Sequence, residues 1–261
     1  MLQFSIVEQV ILAVFLLSGI TFFLYHLLLR LKIVLKGKSD FSVDELPKRI
    51  IRVFDEVILH KKVVSGDRKS AGILHALVMY GFIFFGLITI NHFGMAFGFP
   101  IFSESFRHTY FLIFGAPWAI LCTIGILGLA YRRFVIKPEA LGKFSSTSAL
   151  VSVFIVTLMT TYLIDELHIL SGAAEKFNWW LHSGVIGGFL FLIPQSKHMH
   201  LVLSPFNIFL RPFEVPNHGA IPIDMEASEE ELDNLLLDLS RLSKDQALDI
   251  FTCVECGRCT E

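Results

Sequence analysis

Five stretches of this chain, about 7 to 29, 71 to 97, 109 to 131, 147 to 165 and 178 to 195, are apolar for long enough to cross a lipid bilayer. A bilayer core of roughly 30 Å takes about 20 helical residues, so each stretch reads as one transmembrane helix. The composition agrees, with 54% hydrophobic residues, 26 Phe and a mean hydropathy of +0.63, well outside what a soluble domain needs for one core. The expected fold is all-α, an integral membrane bundle of five helices with a cytoplasmic C-terminal helical segment. The opening MLQFSIVEQ has no basic residues ahead of its apolar run, so that run reads as an uncleaved first span and not as a signal peptide.

Charge orients the bundle. Residues 30 to 69 hold 11 Lys or Arg, residues 132 to 143 hold 4 and residues 197 to 261 hold 5, so 20 of the 22 basic residues fall on one side of a five-span chain. Only Arg107 and Lys176 fall opposite. The excess of basic residues on cytoplasmic loops then puts the N-terminus outside and the C-terminus in the cytoplasm. This implies a multi-pass protein of a bacterial or archaeal inner membrane, with the lipid bilayer as its first partner. The net charge of -2 and the lack of a basic stripe give no sign of nucleic-acid binding.

The domain reading is a five-span unit over 1–210 and a cytoplasmic connector and tail over 211–261. The cytoplasmic loop 30–69 is long enough for a helix of its own, about 43 to 62, its apolar side in the membrane interface; docking of a partner is the rival reading. Pro205, Pro212, Pro216 and Pro222 read as an extended connector. Ser228 with Glu231 then forms a capping box that starts an amphipathic helix from about 229 to 250.

Histidines mark two of the spans. His182 and His200 are 18 residues apart, five turns, so a straight helix sends both from one face roughly 27 Å apart. His75 and His92 are 17 residues apart on the second span, which leaves them about 100° apart unless the helix distorts near Gly94 or Gly98. If the two helices run antiparallel, His75 comes level with His200 and His92 with His182. Two bis-histidine haems fit there, with Gly81, Gly86, Gly184, Gly187 and Gly188 giving room for a flat ring or permitting close helix packing. His198 competes with His200 from another face. His26, His60 and His218 read as structural or solvated.

By the same topology, Arg107, His108, Asp165 and His168, with Glu104 and Glu166, gather near the outer surface beside the His92 and His182 pair. Such a cluster offers donors and a proton route to a quinone, with Arg107, His108 and Asp165 as the candidate contacts; a solvated loop rim is the alternative. At the other end, Cys253, Cys256 and Cys259 form C-x2-C-x2-C, a spacing that suits three thiolates on one face of a [4Fe-4S] cluster. Zinc, which more often takes two separated C-x2-C pairs, is the competitor. A fourth ligand would come from elsewhere, either another chain or a longer polypeptide.

The run Ile193 to His200, followed by Ser204 and Pro205, resembles the end of the fifth helix in the membrane cytochrome b (gamma) subunit of respiratory nitrate reductase and of heterodisulfide reductase-like complexes. The resemblance implies a dihaem cytochrome b over 1–210, with His75 and His200 on the inner haem and His92 and His182 on the outer one. Its fusion to CVECGRC resembles the membrane iron-sulfur oxidoreductases that pass electrons from electron-transferring flavoprotein to menaquinone. The expected function is therefore quinone-linked electron transfer, with two haem b, a [4Fe-4S] cluster, menaquinone, and a soluble donor such as electron-transferring flavoprotein or an iron-sulfur subunit. Two rivals remain: a quinol-oxidising cytochrome subunit of a heterodisulfide reductase-like complex, and a non-redox transporter or anchor.

Overall fold

In the computed structural model every described secondary-structure element is helical; the described residues are 2–37, 43–65, 68–213 and 242–254. Four helices are long and apolar enough to cross a membrane. These are α1 (Ile6–Val34), α3 (Lys69–Ala96), the continuous rod Glu104–Ile136, and α6 (Ser146–Glu166). The rod contains α4 (Glu104–Tyr110) and α5 (Ala116–Tyr131), joined and ended by π-helical turns at Phe111–Gly115 and Arg132–Ile136. Ser103 starts α4 by accepting from Phe106 N, and Ser145 starts α6 by accepting from Ser148 N, each satisfying a backbone donor that the first turn leaves unpaired.

The fifth expected span differs. Helix α7 (Ala173–Leu192) has 20 residues, enough to cross, but Glu175, Lys176, Asn178, His182 and Ser183 lower its hydropathy, and it is not among the four. Nor does it continue to His200. A 3-10 turn at Ile193–Gln195 carries Pro194, Ser196 is extended at φ -131 and ψ 169, and a second 3-10 turn at Lys197–Met199 leads into α8 (His200–Leu210). Proline has no N–H for the helical ladder, and Ser196 turns its hydroxyl to cap His198 N, so a new helix starts there. The straight helix that set His182 and His200 on one face is therefore replaced by two helices. Pro205, expected in an extended connector, lies inside α8.

The chain divides into two units, one of Met1–Thr21 with Lys62–Phe191 and the other of Phe22–Lys61 with Leu192–Cys256. In the first, α3 and α5 pack through small residues. A Cβ on Gly125 would lie 2.7 Å from Leu74 O, and one on Gly81 would lie 2.9 Å from Cys122 Sγ. Gly187 faces the Phe15 ring and Gly188 the Phe154 ring, so these glycines serve helix packing. Gly86 and Gly184 face open space. The outer side of α1, with Val7, Val10, Val14 and Leu17 exposed, is the apolar surface that lipid requires.

In the second unit, the loop helix appears as α2 (Leu46–Val53) with a π turn at Phe54–Ile58. Its charged side points inward. Arg49 is 2% exposed and donates to Asp44 O at 2.6 Å, Phe209 O at 2.8 Å and Arg211 O at 3.1 Å, closing the end of α8. Arg52 donates to Arg211 O and lies over the Phe213 ring, and Arg211 pairs with Glu56 at 2.7 Å. The last helix, α9 (Lys244–Thr252), begins with its own capping box, Ser243 with Gln246. The helix expected over 229–250 therefore does not run unbroken to its end; the Ser228 box lies outside the described residues, as does His218.

Replacing Arg49 by Ala takes this charged donor from Asp44 O and Phe209 O and leaves Arg211 O with Arg52 alone, a loss of about 3 kcal/mol. Hydrogen exchange across residues 203–213 should then quicken roughly a hundredfold relative to the native chain. Arg49→Lys should not restore protection, because one ammonium cannot reproduce the planar fork.

Candidate functional site

Two of the expected histidines meet. His92, one turn before the end of α3, and His182, midway along α7, have ring centroids 5.0 Å apart with planes at 57°. His92 stacks on Trp179 at 4.7 Å and 14°, and its Nε2 lies 2.9 Å from Ser183 Oγ. His92 is therefore fixed by neighbours on α7.

The state of His182 follows from its own contacts. The Thr161 hydroxyl donates back to the carbonyls of Thr157 at 2.7 Å and Leu158 at 3.1 Å, so its one proton is used. The 2.7 Å contact between Thr161 Oγ1 and His182 Nδ1 then has Nδ1–H as the donor. The lone pair of His182 is on Nε2. Asn178 holds Thr161 from the other side, its Nδ2 donating to Thr161 O at 2.9 Å.

Two imidazoles on neighbouring helices, one held by a hydroxyl, offer nitrogen donors, but among the described residues no group of three or more His, Cys, Asp or Glu is placed to hold a metal ion. With metal–nitrogen bonds of about 2 Å each, a bis-imidazole pair has centroids roughly 6 Å apart. The observed 5.0 Å is shorter, and His92 Nε2 is turned to Ser183. Two imidazole nitrogens are the donor type that haem iron takes, and the pair would have to open for iron to sit between the rings.

The pair opens onto a cavity of about 190 Å³. Phe85, Ile88, Leu158 and Ile186 give it apolar walls, and Glu104, Arg107, Asp165, Glu166 and His168 give it a polar end. Arg107 Nε lies 3.6 Å from Glu166 Oε1, and its Nη1 donates to Met95 Sδ at 3.1 Å. His108 stands exposed and does not line the cavity, because neighbours on a helix point about 100° apart and Arg107 takes the inward side.

His75 is half-buried on α3 in the first unit, and His200 begins α8 in the second. The Nδ1 of His200 lies 2.8 Å from Lys197 O; a carbonyl only accepts, so this nitrogen carries the proton and Nε2 the lone pair. Burial lowers the His200 pKa below the ordinary imidazole value and keeps the ring neutral. The His198 ring sits 6.3 Å from that of His200, with its Nδ1 against Ser196 Oγ. His26 packs on Phe22, and His60 is 5% exposed. Cys253 is exposed just after α9, while Cys256 and Cys259 lie outside the described residues.

Two curated relatives match. The "Probable iron-sulfur-binding oxidoreductase FadF" of Bacillus subtilis is 31% identical over 271 aligned positions, 91% of this chain and 37% of that protein. The "EtfAB:quinone oxidoreductase" of Syntrophomonas wolfei is 23% identical over 293 positions, 95% of this chain and 39% of that protein. Both are named oxidoreductases. This chain spans under two-fifths of the length of either. No family model and no solved structure matches.

Sequence reasoning missed Thr161, Asn178 and Ser183. A lone hydroxyl or amide in an apolar helix usually bonds its own backbone, so nothing in the pattern marks these three as histidine partners. Replacing Thr161 by Val keeps the shape and removes the acceptor. Nitrogen-15 NMR of the native protein should show His182 protonated at Nδ1 alone; the Thr161→Val protein should show both tautomers, and Thr161→Ser should restore one.

Proposed function

We propose that this chain is the membrane part of a quinone-linked oxidoreductase. It moves electrons between a cytoplasmic iron-sulfur or flavoprotein partner and the menaquinone pool, with two b haems as carriers inside the bilayer. The observation that carries this reading is the facing of His92 and His182 beside a cavity with a charged end, His182 being held with its lone pair on Nε2. The names of the two relatives, an iron-sulfur-binding oxidoreductase and a quinone oxidoreductase, support it.

Bound haem iron and an iron-sulfur cluster supply reversible one-electron chemistry, with potentials tuned by axial ligand, burial and hydrogen bonding. His92 and His182 hold the outer haem and His75 and His200 the inner one. Thr161 and the Lys197 carbonyl orient one imidazole of each pair. In the cavity, Arg107 offers a charged donor to a quinone carbonyl, and Asp165 and His168 stand where a proton can be handed on. Phe85, Ile88, Leu158 and Ile186 keep the ring's surroundings dry. Three thiolates, Cys253, Cys256 and Cys259, bind the cluster, completed by a ligand from another segment or chain.

In this reading α7 is the fifth span, the N-terminus lies outside and the tail faces the cytoplasm, as the segregation of basic residues favours. Helix α2 then lies along the cytoplasmic membrane surface, with Leu46, Ile50, Ile51 and Phe54 outward in the interface.

A visible spectrum of the dithionite-reduced, purified protein checks the proposal. A b-type α-band with about two haems per chain is expected; its absence overturns the reading. His92→Ala or His182→Ala should each remove about one haem, and His75→Ala or His200→Ala the other. Cys253→Ser should lower bound iron beyond haem while leaving the band intact.

A further inference from the structure

Helix α9, which ends directly before Cys253, is fastened to α8 at its last turn. The side-chain amide of Asn207 donates into it twice, at 2.7 Å to Asp249 Oδ1 and at 2.7 Å to Thr252 Oγ1. An asparagine amide has two hydrogens, so both are committed to this joint. The two acceptors are three residues apart and share one side of the last turn. Cys253 N closes that turn by donating to Asp249 O at 3.0 Å. Other parts of the same unit hold the rest of α9. The Arg30 guanidinium lies 5.9 Å over the Phe251 ring, and the backbone at Gly37 comes so near that a Cβ there would sit 2.6 Å from Lys244 N.

The opposite end of α8 is His200, seven residues before Asn207, or roughly 10 Å along the helix axis. Beyond Asn207 the helix is closed by Arg49, which holds Phe209 O and Arg211 O. One short, capped helix thus carries a histidine at one end and the docking point of the first cluster cysteine near the other.

We propose that Asn207 is a positioning residue: by tying the last turn of α9 to α8, it sets the distance between Cys253 and His200 across which an electron passes. The proposal rests on the reading that His200 binds haem and Cys253 a cluster. The step is a single-electron exchange in which one iron centre is oxidised and the other reduced, with no bond made or broken. Its rate falls steeply with distance. A cysteine on an undocked tail would sample many distances, whereas Asn207 selects one.

The test uses the complete polypeptide or complex with its cofactors. In Asn207→Leu, haem and cluster contents should stay at native levels, because no ligand is touched. The relaxation enhancement that oxidised haem imposes on the reduced cluster's electron paramagnetic resonance signal should weaken, and cluster-to-haem transfer should slow by about tenfold or more. Asn207→Asp, which sets a carboxylate against Asp249, should do the same. Combining Asn207→Asp with Asp249→Asn restores an amide-to-carboxylate bond in the reverse sense and should recover both readouts. Unchanged coupling and rate in Asn207→Leu and Asn207→Asp, or no recovery in the exchanged pair, would overturn the inference. A native protein without haem or cluster would overturn the functional reading instead, and the two failures are told apart by the cofactor content alone.

Discussion

The hydrogen bond between His182 and Thr161 decides what this bundle can do. Inside an apolar bundle, an imidazole that only packs is an unpaid desolvation cost, and one that protonates costs far more. Thr161 resolves this by sending its proton to its own helix, at Thr157 O and Leu158 O, and taking the Nδ1 proton of His182. The ring is fixed through Nδ1, with Nε2 turned away from Thr161. Asn178, on α7, donates to the Thr161 carbonyl at 2.9 Å, so α6 and α7 share one polar joint beside the His92 pair.

That joint was only partly legible in the sequence. Histidine type and position marked His92 and His182, since an ionisable group in an apolar helix is costly enough to be noticed, and the structure sets their rings 5.0 Å apart between α3 and α7. The spans themselves were plain: the expected 71 to 97 and 147 to 165 stand as Lys69–Ala96 and Ser146–Glu166. What periodicity could not show is where a helix stops being one. The apolar run Phe189 to Ile193 gives way to Pro194, Gln195, Ser196, Lys197 and His198 before Leu201, and histidine spacing alone does not show whether one helix spans that change. Pro194 and the Ser196 hydroxyl end the helix by hydrogen bonding. The same-face relation of His182 and His200 was an inference about a straight helix and fell with it. What survives for His200 is local, its Nδ1 bonded to Lys197 O.

Polarity in the second unit runs opposite to that of a water-soluble helix pair. Helix α2 buries Arg49 at 2% exposure and leaves Ile50 and Ile51 more than half exposed. A buried guanidinium is tolerable here because three carbonyls at the end of α8 and the preceding loop accept from it, replacing the water it gave up. The outward isoleucines have no such compensation in water and need none against lipid. The basic and apolar residues between 46 and 58 led to the expectation of an apolar side in the membrane interface, but not of Arg49 buried at the end of α8, because an amphipathic stripe does not name the carbonyls its charged side will meet.

The charged end of the cavity obeys the same accounting of desolvation. Arg107, one of only two basic residues that charge segregation puts opposite the rest, is 19% exposed and 3.6 Å from Glu166, beyond a direct hydrogen bond. A pair at that spacing leaves donors on the guanidinium for something else. His108, next along the chain, was a candidate alongside Arg107 and Asp165, yet the pitch of α4 turns it to the exposed side and gives the cavity to Arg107. A substrate with a carbonyl at one end and a flat apolar body would satisfy both walls at once: Arg107 at the polar end and Phe85, Ile88 and Ile186 along the rest. Glu104, Arg107, Asp165, Glu166 and His168 line this cavity together with Phe85, Ile88, Leu158 and Ile186, so the desolvation cost falls on its charged groups while the apolar ones bear none.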